Sequence, residues 1–154
     1  MIQHRIARAT VMAVAGSTVL IGAPQSHAAA STTVFQTAIN TLTNTARLAH
    51  GCKPLKLSGK LNKAAQKHAK DMSKYDYFSH TSRNGTTWSK RIKKTGYKYP
   101  GGENIAVGFP TAVSVVQAWL HSPDHRRNIL DCNFRYIGVG YAPTGNYWVQ
   151  DFGY

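Results

Sequence analysis

Carboxylates are the scarcest charged groups in this sequence. Six acidic residues face nineteen lysines and arginines across 154 positions, a formal net charge of +13, and Glu103 is the single glutamate. So basic a balance favours anionic partners: cell-wall polymers, anionic lipid headgroups or nucleic acid. Nucleic acid is not expected, because none of the signatures of a reading module is present. The basic residues read as spread along the chain, a solvated surface more than a binding stripe. Long apolar runs are also few. The only candidate, 9–23, holds about fifteen residues, short of the roughly twenty that span a bilayer, so no transmembrane segment is expected after processing. No Cys-x-x-Cys or His-Glu-x-x-His motif marks a compact metal centre. Nor does a Gly-x-Ser-x-Gly elbow mark a serine nucleophile.

The first residues do not read as part of a domain. His4, Arg5 and Arg8 form a basic start, 9–23 is apolar or small, and Ser26-His27-Ala28 supplies small residues for a signal peptidase. The expectation is a cleaved secretory signal over 1–28, a short flexible start over 29–33, and one domain over 34–154. An uncleaved anchor is the competing reading. Removing 1–28 takes Arg5 and Arg8 with it and leaves a formal +11, from 17 basic and 6 acidic residues. A secreted chain meets an oxidising compartment, where the lone pair Cys52 and Cys132 is expected to form a disulfide, two free thiols being the alternative.

Periodicity then sets the elements. Val34, Phe35, Ala38, Ile39, Leu42, Ala46 and Ala49 recur at helical spacing up to a stop at Gly51. Leu61, Ala64, Ala65, His68, Ala69 and Met72 repeat that spacing in a second helix, which places His68 in the core. His80 falls in the aromatic-rich loop that follows, where functional side chains are common. A short helix carries Trp88 and Ile92. Glycines then lead into a strand-like run opened by Glu103. Thr111 caps a helix with Val115, Val116, Trp119 and Leu120 on its buried stripe, ending at Ser122-Pro123. His121 reads as a surface residue. The tail is a hairpin of 136–141 and 147–152, in which Gly138 and Gly140 admit a neighbouring element. Helices early, strands late and no internal repeat indicate one α+β domain, helices packed around a small antiparallel sheet.

His80, Glu103 and His125 are loop or element-end groups able to converge. Two imidazoles and a carboxylate suit zinc or another divalent metal, with an open position for water. The ordered runs Phe78-Ser-His80, Gly102-Glu-Asn-Ile-Ala106, Trp119 to Leu130, Gly138-Val-Gly140 and Tyr147 to Gly153 resemble the bacterial secreted CAP, or SCP-like, proteins. That superfamily includes cysteine-rich secretory proteins, antigen 5 and plant pathogenesis-related 1 proteins. The resemblance implies an α-β-α sandwich whose cleft carries two histidines and two glutamates, with a divalent metal on the histidines in some members. It assigns the first histidine to His80, the first glutamate to Glu103 and the second histidine to His125. The second glutamate position is Ser122, and the nearby Asp124 is not expected to reach the cleft. The resulting expectation is a binding protein whose cleft of His80, Glu103, Ser122 and His125 takes a metal on His80 and His125 or a small ligand, and whose basic surface meets anionic cell-envelope polymers or lipids. A metal-dependent hydrolase with Glu103 as base is the alternative.

Overall fold

All seven residues of the last strand are buried, because it runs through the middle of the sheet with a helical layer on each face. The structure is a computed structural model that describes residues 26–154, with side chains from 32 onward. In chain order it comprises α1 (Ser26–Ala49), β1 (Lys56–Leu57), α2 (Gly59–Tyr75), α3 (Trp88–Lys94), β2 (Pro100–Ala106), α4 (Ala112–His121), α5 (Pro123–Ile129), β3 (Tyr136–Ala142) and β4 (Tyr147–Gly153). The signal expected over 1–28 falls almost wholly outside the described residues. Residues 29–33, expected as a short flexible start, belong to α1. Ala28, Ala29 and Ala30 are the strongest helix formers available, and they carry the helix upstream. No helix among the described residues is long and apolar enough to cross a membrane.

The sheet order is β1-β3-β4-β2. β3 and β2 each pair antiparallel with β4, whereas the two-residue β1 pairs parallel with β3. The sheet is therefore mixed, a correction to the antiparallel sheet expected; a strand of two residues has too little pattern to announce itself. On one face Ile137, Val139, Trp148 and Phe152 pack with Ile39 of α1, Val115, Val116 and Trp119 of α4 and Ile129 of α5. On the other, Ile105, Tyr147 and Val149 pack with Ala65, Ala69 and Met72 of α2, and α3 joins α2 through Ile92, Leu61 and Ala64. This is the α-β-α sandwich expected.

α2 lies close against β3. A Cβ on Gly138 would sit 2.1 Å from the Leu61 carbonyl carbon, and one on Gly140 would sit 2.3 Å from that of Ala65. Two glycines thus let a helix backbone approach a strand backbone. Beyond β1 the outer edge of β3 is closed by side chains. Asn62 Oδ1 accepts from Val139 N at 2.8 Å, and Gln66 holds both the N–H and the carbonyl of Tyr141 at 3.1 and 2.7 Å. Edge groups bonded in this way are unavailable to a stray strand.

Cys52 and Cys132 form the expected disulfide, across a sequence separation of 80. Beside it Arg47 is fully buried and bonds only backbone carbonyls: Lys53 at 3.0 Å, Ile129 and Asp131 at 2.8 Å, and Phe134 at 3.2 Å. Burial lowers its pKa, and Asp131 opposes that shift. The four carbonyls provide the solvation that water would otherwise give the guanidinium.

Candidate functional site

Strand register builds the site. Glu103 of β2 faces Asp151 of β4 directly, so the two side chains leave the sheet on the α2 face side by side. Glu103 is 5% exposed and Asp151 1%. The carboxylate of Glu103 has both oxygens engaged: Oε1 accepts from His80 Nδ1 at 2.8 Å, and Oε2 accepts from Arg91 Nη2 at 2.5 Å. Burial, and then the adjacent Glu103 charge, push the Asp151 carboxyl well above its ordinary value, and its Oδ1 is buried without a hydrogen-bond partner. One buried carboxylate is thus ion-paired, while burial and that charge favour the neutral form of its neighbour.

Arg91 fixes the loop that carries His80. Its Nη1 donates to the His80 carbonyl at 2.8 Å, to Ser82 Oγ at 3.1 Å and to the Thr86 carbonyl at 3.2 Å. His68 holds the start of the same loop, Nε2 donating to the Ser79 carbonyl at 2.9 Å. It is buried, as its spacing predicts, and burial and then Arg91 lower its pKa. The His80 side chain itself is about half exposed, at 48%. With Nδ1 bonded to Glu103, Nε2 is the ring nitrogen that this carboxylate leaves unengaged.

His125 comes from the opposite side of β2. Ser122-Pro123 ends α4, but Pro123 at once opens α5, so His125, expected as a loop or element-end group, stands on a short helix. Proline at a first helical position is compatible with helix, because its missing N–H has no intrahelical role there. The Gly-Glu-Asn run explains how α5 is placed. Asn104 Nδ2 donates to the His125 carbonyl and to Gln150 Oε1, both at 3.1 Å. Asn128 Nδ2 donates to Asn104 Oδ1 at 2.9 Å. A Cβ on Gly102 would lie 3.0 Å from Asn128 Oδ1, so glycine there leaves room for this clasp. Burial, and then the charge of nearby His80, lower the His125 pKa, which favours a neutral imidazole.

Of the four expected cleft residues, His80 and Glu103 are in direct contact, and His125 is near enough to His80 to feel its charge. Ser122 is the junction between α4 and α5, three residues before His125, and its side chain makes no capping bond. Asp124 does not join the cluster; its side chain is 83% exposed and pairs with Arg127 at 2.9 Å. His121 is exposed, donating to the Gln117 carbonyl at 2.7 Å. Arg91 and Asp151 went unread in the sequence. Asp151 had a signal, since it lies two residues after Val149 in an alternating strand and so shares its buried face. Arg91 had none, because its role depends on where the 80–86 loop folds back.

Comparison with known proteins bears on the family and the fold. The model of the CAP, or cysteine-rich secretory protein, family matches residues 41–152. The chain is 40% identical to YkwD of Bacillus subtilis over 126 residues, covering 81% of this chain and 49% of that protein. A Bacillus anthracis extracellular protein containing an SCP domain superposes with a TM-score of 0.77 at 30% identity, covering 86% of this chain and 45% of the other. An outer surface protein of Borrelia burgdorferi superposes at 0.70 with 25% identity, covering 76% and 90%. The chain spans about half or less of the length of the curated relatives it matches. With a family match over most of its length, and the sandwich and Gly-Glu-Asn clasp described above, this chain belongs to the CAP, or cysteine-rich secretory protein, family.

Proposed function

We propose that this is an extracellular binding protein whose cleft presents His80 and His125 to a divalent metal or small ligand, and whose basic surface meets anionic cell-envelope polymers or lipids. The observation that carries this reading is the state of Glu103. A general base needs an oxygen that reaches the attacking water. Glu103 is buried with Arg91 on one oxygen and His80 on the other, so its role is to orient an imidazole, which counts against the hydrolase alternative.

The residues fit a labile metal better than a structural one. A carboxylate bonded to one ring nitrogen is the usual second support of a metal-binding histidine, fixing its tautomer and leaving the other nitrogen to the ion. His80 has that support, and His125 is held toward the neutral form that ligation needs. Among the described residues, no three His, Cys, Asp or Glu side chains are grouped to hold one ion. His80 and His125 would therefore supply two ligands, leaving the remaining positions to water or to a bound molecule. An ion held there supplies a Lewis-acidic contact for an anionic or carbonyl oxygen of a ligand.

Calorimetric titration of zinc into the wild type, His80→Ala and His125→Ala tests this. Weak binding that either substitution abolishes is the expected result. Binding unchanged in both variants removes the metal site. Turnover that appears only with metal in a hydrolase screen, and is lost in Glu103→Gln, reinstates the hydrolase.

A further inference from the structure

Folding concentrates the positive charge that looked dispersed in the sequence. From Lys60 to Lys74 on α2, every exposed side chain is a lysine: Lys60, Lys63, Lys67, Lys70 and Lys74. Their steps of three and four residues place them in one row about 21 Å long. Packing of α3 beside α2 brings up exposed Lys90, Lys93 and Lys94. Among the described residues, no lysine of either helix lies within ion-pairing distance of a carboxylate. Linear spacing hid this, since helical periodicity and the docking of two helices together make the cluster.

Between the helices and the 80–86 loop runs a trench of about 480 Å³. Lys63, Lys67, Lys94 and Arg83 line its sides, and Ser82, Asn84, Thr86 and Thr95 add hydroxyl and amide groups. Its one carboxylate, Asp71, already accepts from Tyr77 Oη. Its Arg91 is committed to Glu103.

We propose that this trench and the lysine row beside it bind a single linear polyol-phosphate chain, a polymer alternating phosphodiesters with hydroxylated linkers. The assignment rests on the reading above that the basic surface meets anionic envelope material, and names the face and the polymer. Charge repeated along a row about 21 Å long matches an extended polyanion, and the hydroxyl and amide groups between the cations match its linkers. A bilayer surface fits less well. The surface is concave, and Tyr75 is the one large hydrophobic side chain that lines it among the described residues. Nucleic acid fits less well too, because base stacking needs an open aromatic face. The Tyr75 ring is taken, with the Arg83 guanidinium 4.4 Å and the Lys74 ammonium 5.0 Å from its centroid.

The test uses the full exported chain and fluorescently labelled poly(glycerol phosphate). Lysine acylation of the wild type with and without polymer is expected to show protection at Lys63, Lys67 and Lys94. The triple variant Lys63→Gln, Lys67→Gln, Lys94→Gln is expected to bind at least about tenfold more weakly. Its salt dependence should fall by about two in the slope of log affinity against log salt, near 0.7 per lost contact. Lys53→Gln, Lys56→Gln, Arg135→Gln removes equal charge around a different cavity and is expected to change affinity less than about threefold. Equal loss in both triples, or protection confined to other lysines, overturns the assignment while leaving the anionic-partner reading intact. Tighter binding to phosphatidylglycerol vesicles or to single-stranded DNA at matched charge overturns it in favour of that partner. No salt-sensitive binding to any of the three overturns both. Should the triple variant fail to fold, the wild-type footprint decides alone.

Discussion

The buried carboxyl pair predicts that two conservative amide replacements have opposite consequences. Glu103→Gln leaves a guanidinium whose side chain is 10% exposed without its counter-ion. It also swaps an acceptor of the His80 N–H for an amide. Breaking a buried pair from one side costs about 3–5 kcal/mol, enough to halve the stability of a typical domain of this size. Asp151→Asn is different, because burial and the Glu103 charge raise the Asp151 carboxyl well above its ordinary value and favour its protonated form. Asparagine supplies the same shape and an N–H donor toward Glu103, so its cost is within about 1 kcal/mol near the ordinary aspartate pKa. The sign of the pH dependence follows from proton uptake. With a folded-state pKa raised above the unfolded one, Asp151 contributes its full stability below the unfolded value and loses it as pH rises through the folded value. Asparagine takes up no proton, so the gap shifts in favour of Asp151→Asn as pH increases. Urea denaturation of the three proteins at several pH values between about 4 and 8 measures both effects. A loss from Asp151→Asn as large as that from Glu103→Gln would refute a neutral Asp151, as would a gap moving toward the wild type with rising pH.

Other positions give independent checks. Replacing both cysteines, Cys52→Ser with Cys132→Ser, frees a loop of sequence separation 80; the chain-entropy relation puts the loss at about 4–5 kcal/mol, measurable by denaturant titration. Gly140→Ala drives a Cβ to 2.3 Å from the Ala65 backbone, which helix backbone cannot relieve, so about 3 kcal/mol is expected. Gly59→Ala, with nothing within 4 Å of the added atom, is its neutral control in thermal melts. His68 has a depressed pKa, so its contribution is present above the ordinary histidine value and is lost as pH falls through the folded one. Melting temperature below about pH 6.5 should therefore fall less steeply in His68→Gln than in the wild type; parallel curves would contradict this.

How far the sequence could be read depended on how locally each feature is encoded. α2 was legible because its six buried residues are the six that the helical period selects: Leu61, Ala64, Ala65, His68, Ala69 and Met72. The Thr111 cap was legible because it is made within one turn, with Ser114 as partner. α5 was not, because seven residues after a proline carry too little periodicity to compete with a turn. In the site, His80, Glu103 and His125 were reachable through motif resemblance. Asp151 meets Glu103 only through the β2–β4 register, and Arg91 meets it only once α3 docks beside β2. The grouping of exposed lysines on α2 and α3 escaped the linear reading for the same reason, since charge along a helix is read every third or fourth residue and not residue by residue.

Arg47 has a consequence for the order in which the molecule is made. Its guanidinium gathers carbonyls from Lys53 on one side and from Ile129, Asp131 and Phe134 on the other, and its own carbonyl accepts from Cys52 N at 2.9 Å. The segments bearing Cys52 and Cys132 are therefore held together by hydrogen bonds that need no sulfur chemistry. In the reduced protein this raises the effective concentration of one thiol at the other far above what a wandering loop provides. Ring closure within one chain is thereby favoured over linkage of two chains, and an apolar residue in place of Arg47 is expected to weaken that preference, read as slower formation of the intramolecular disulfide on oxidative refolding.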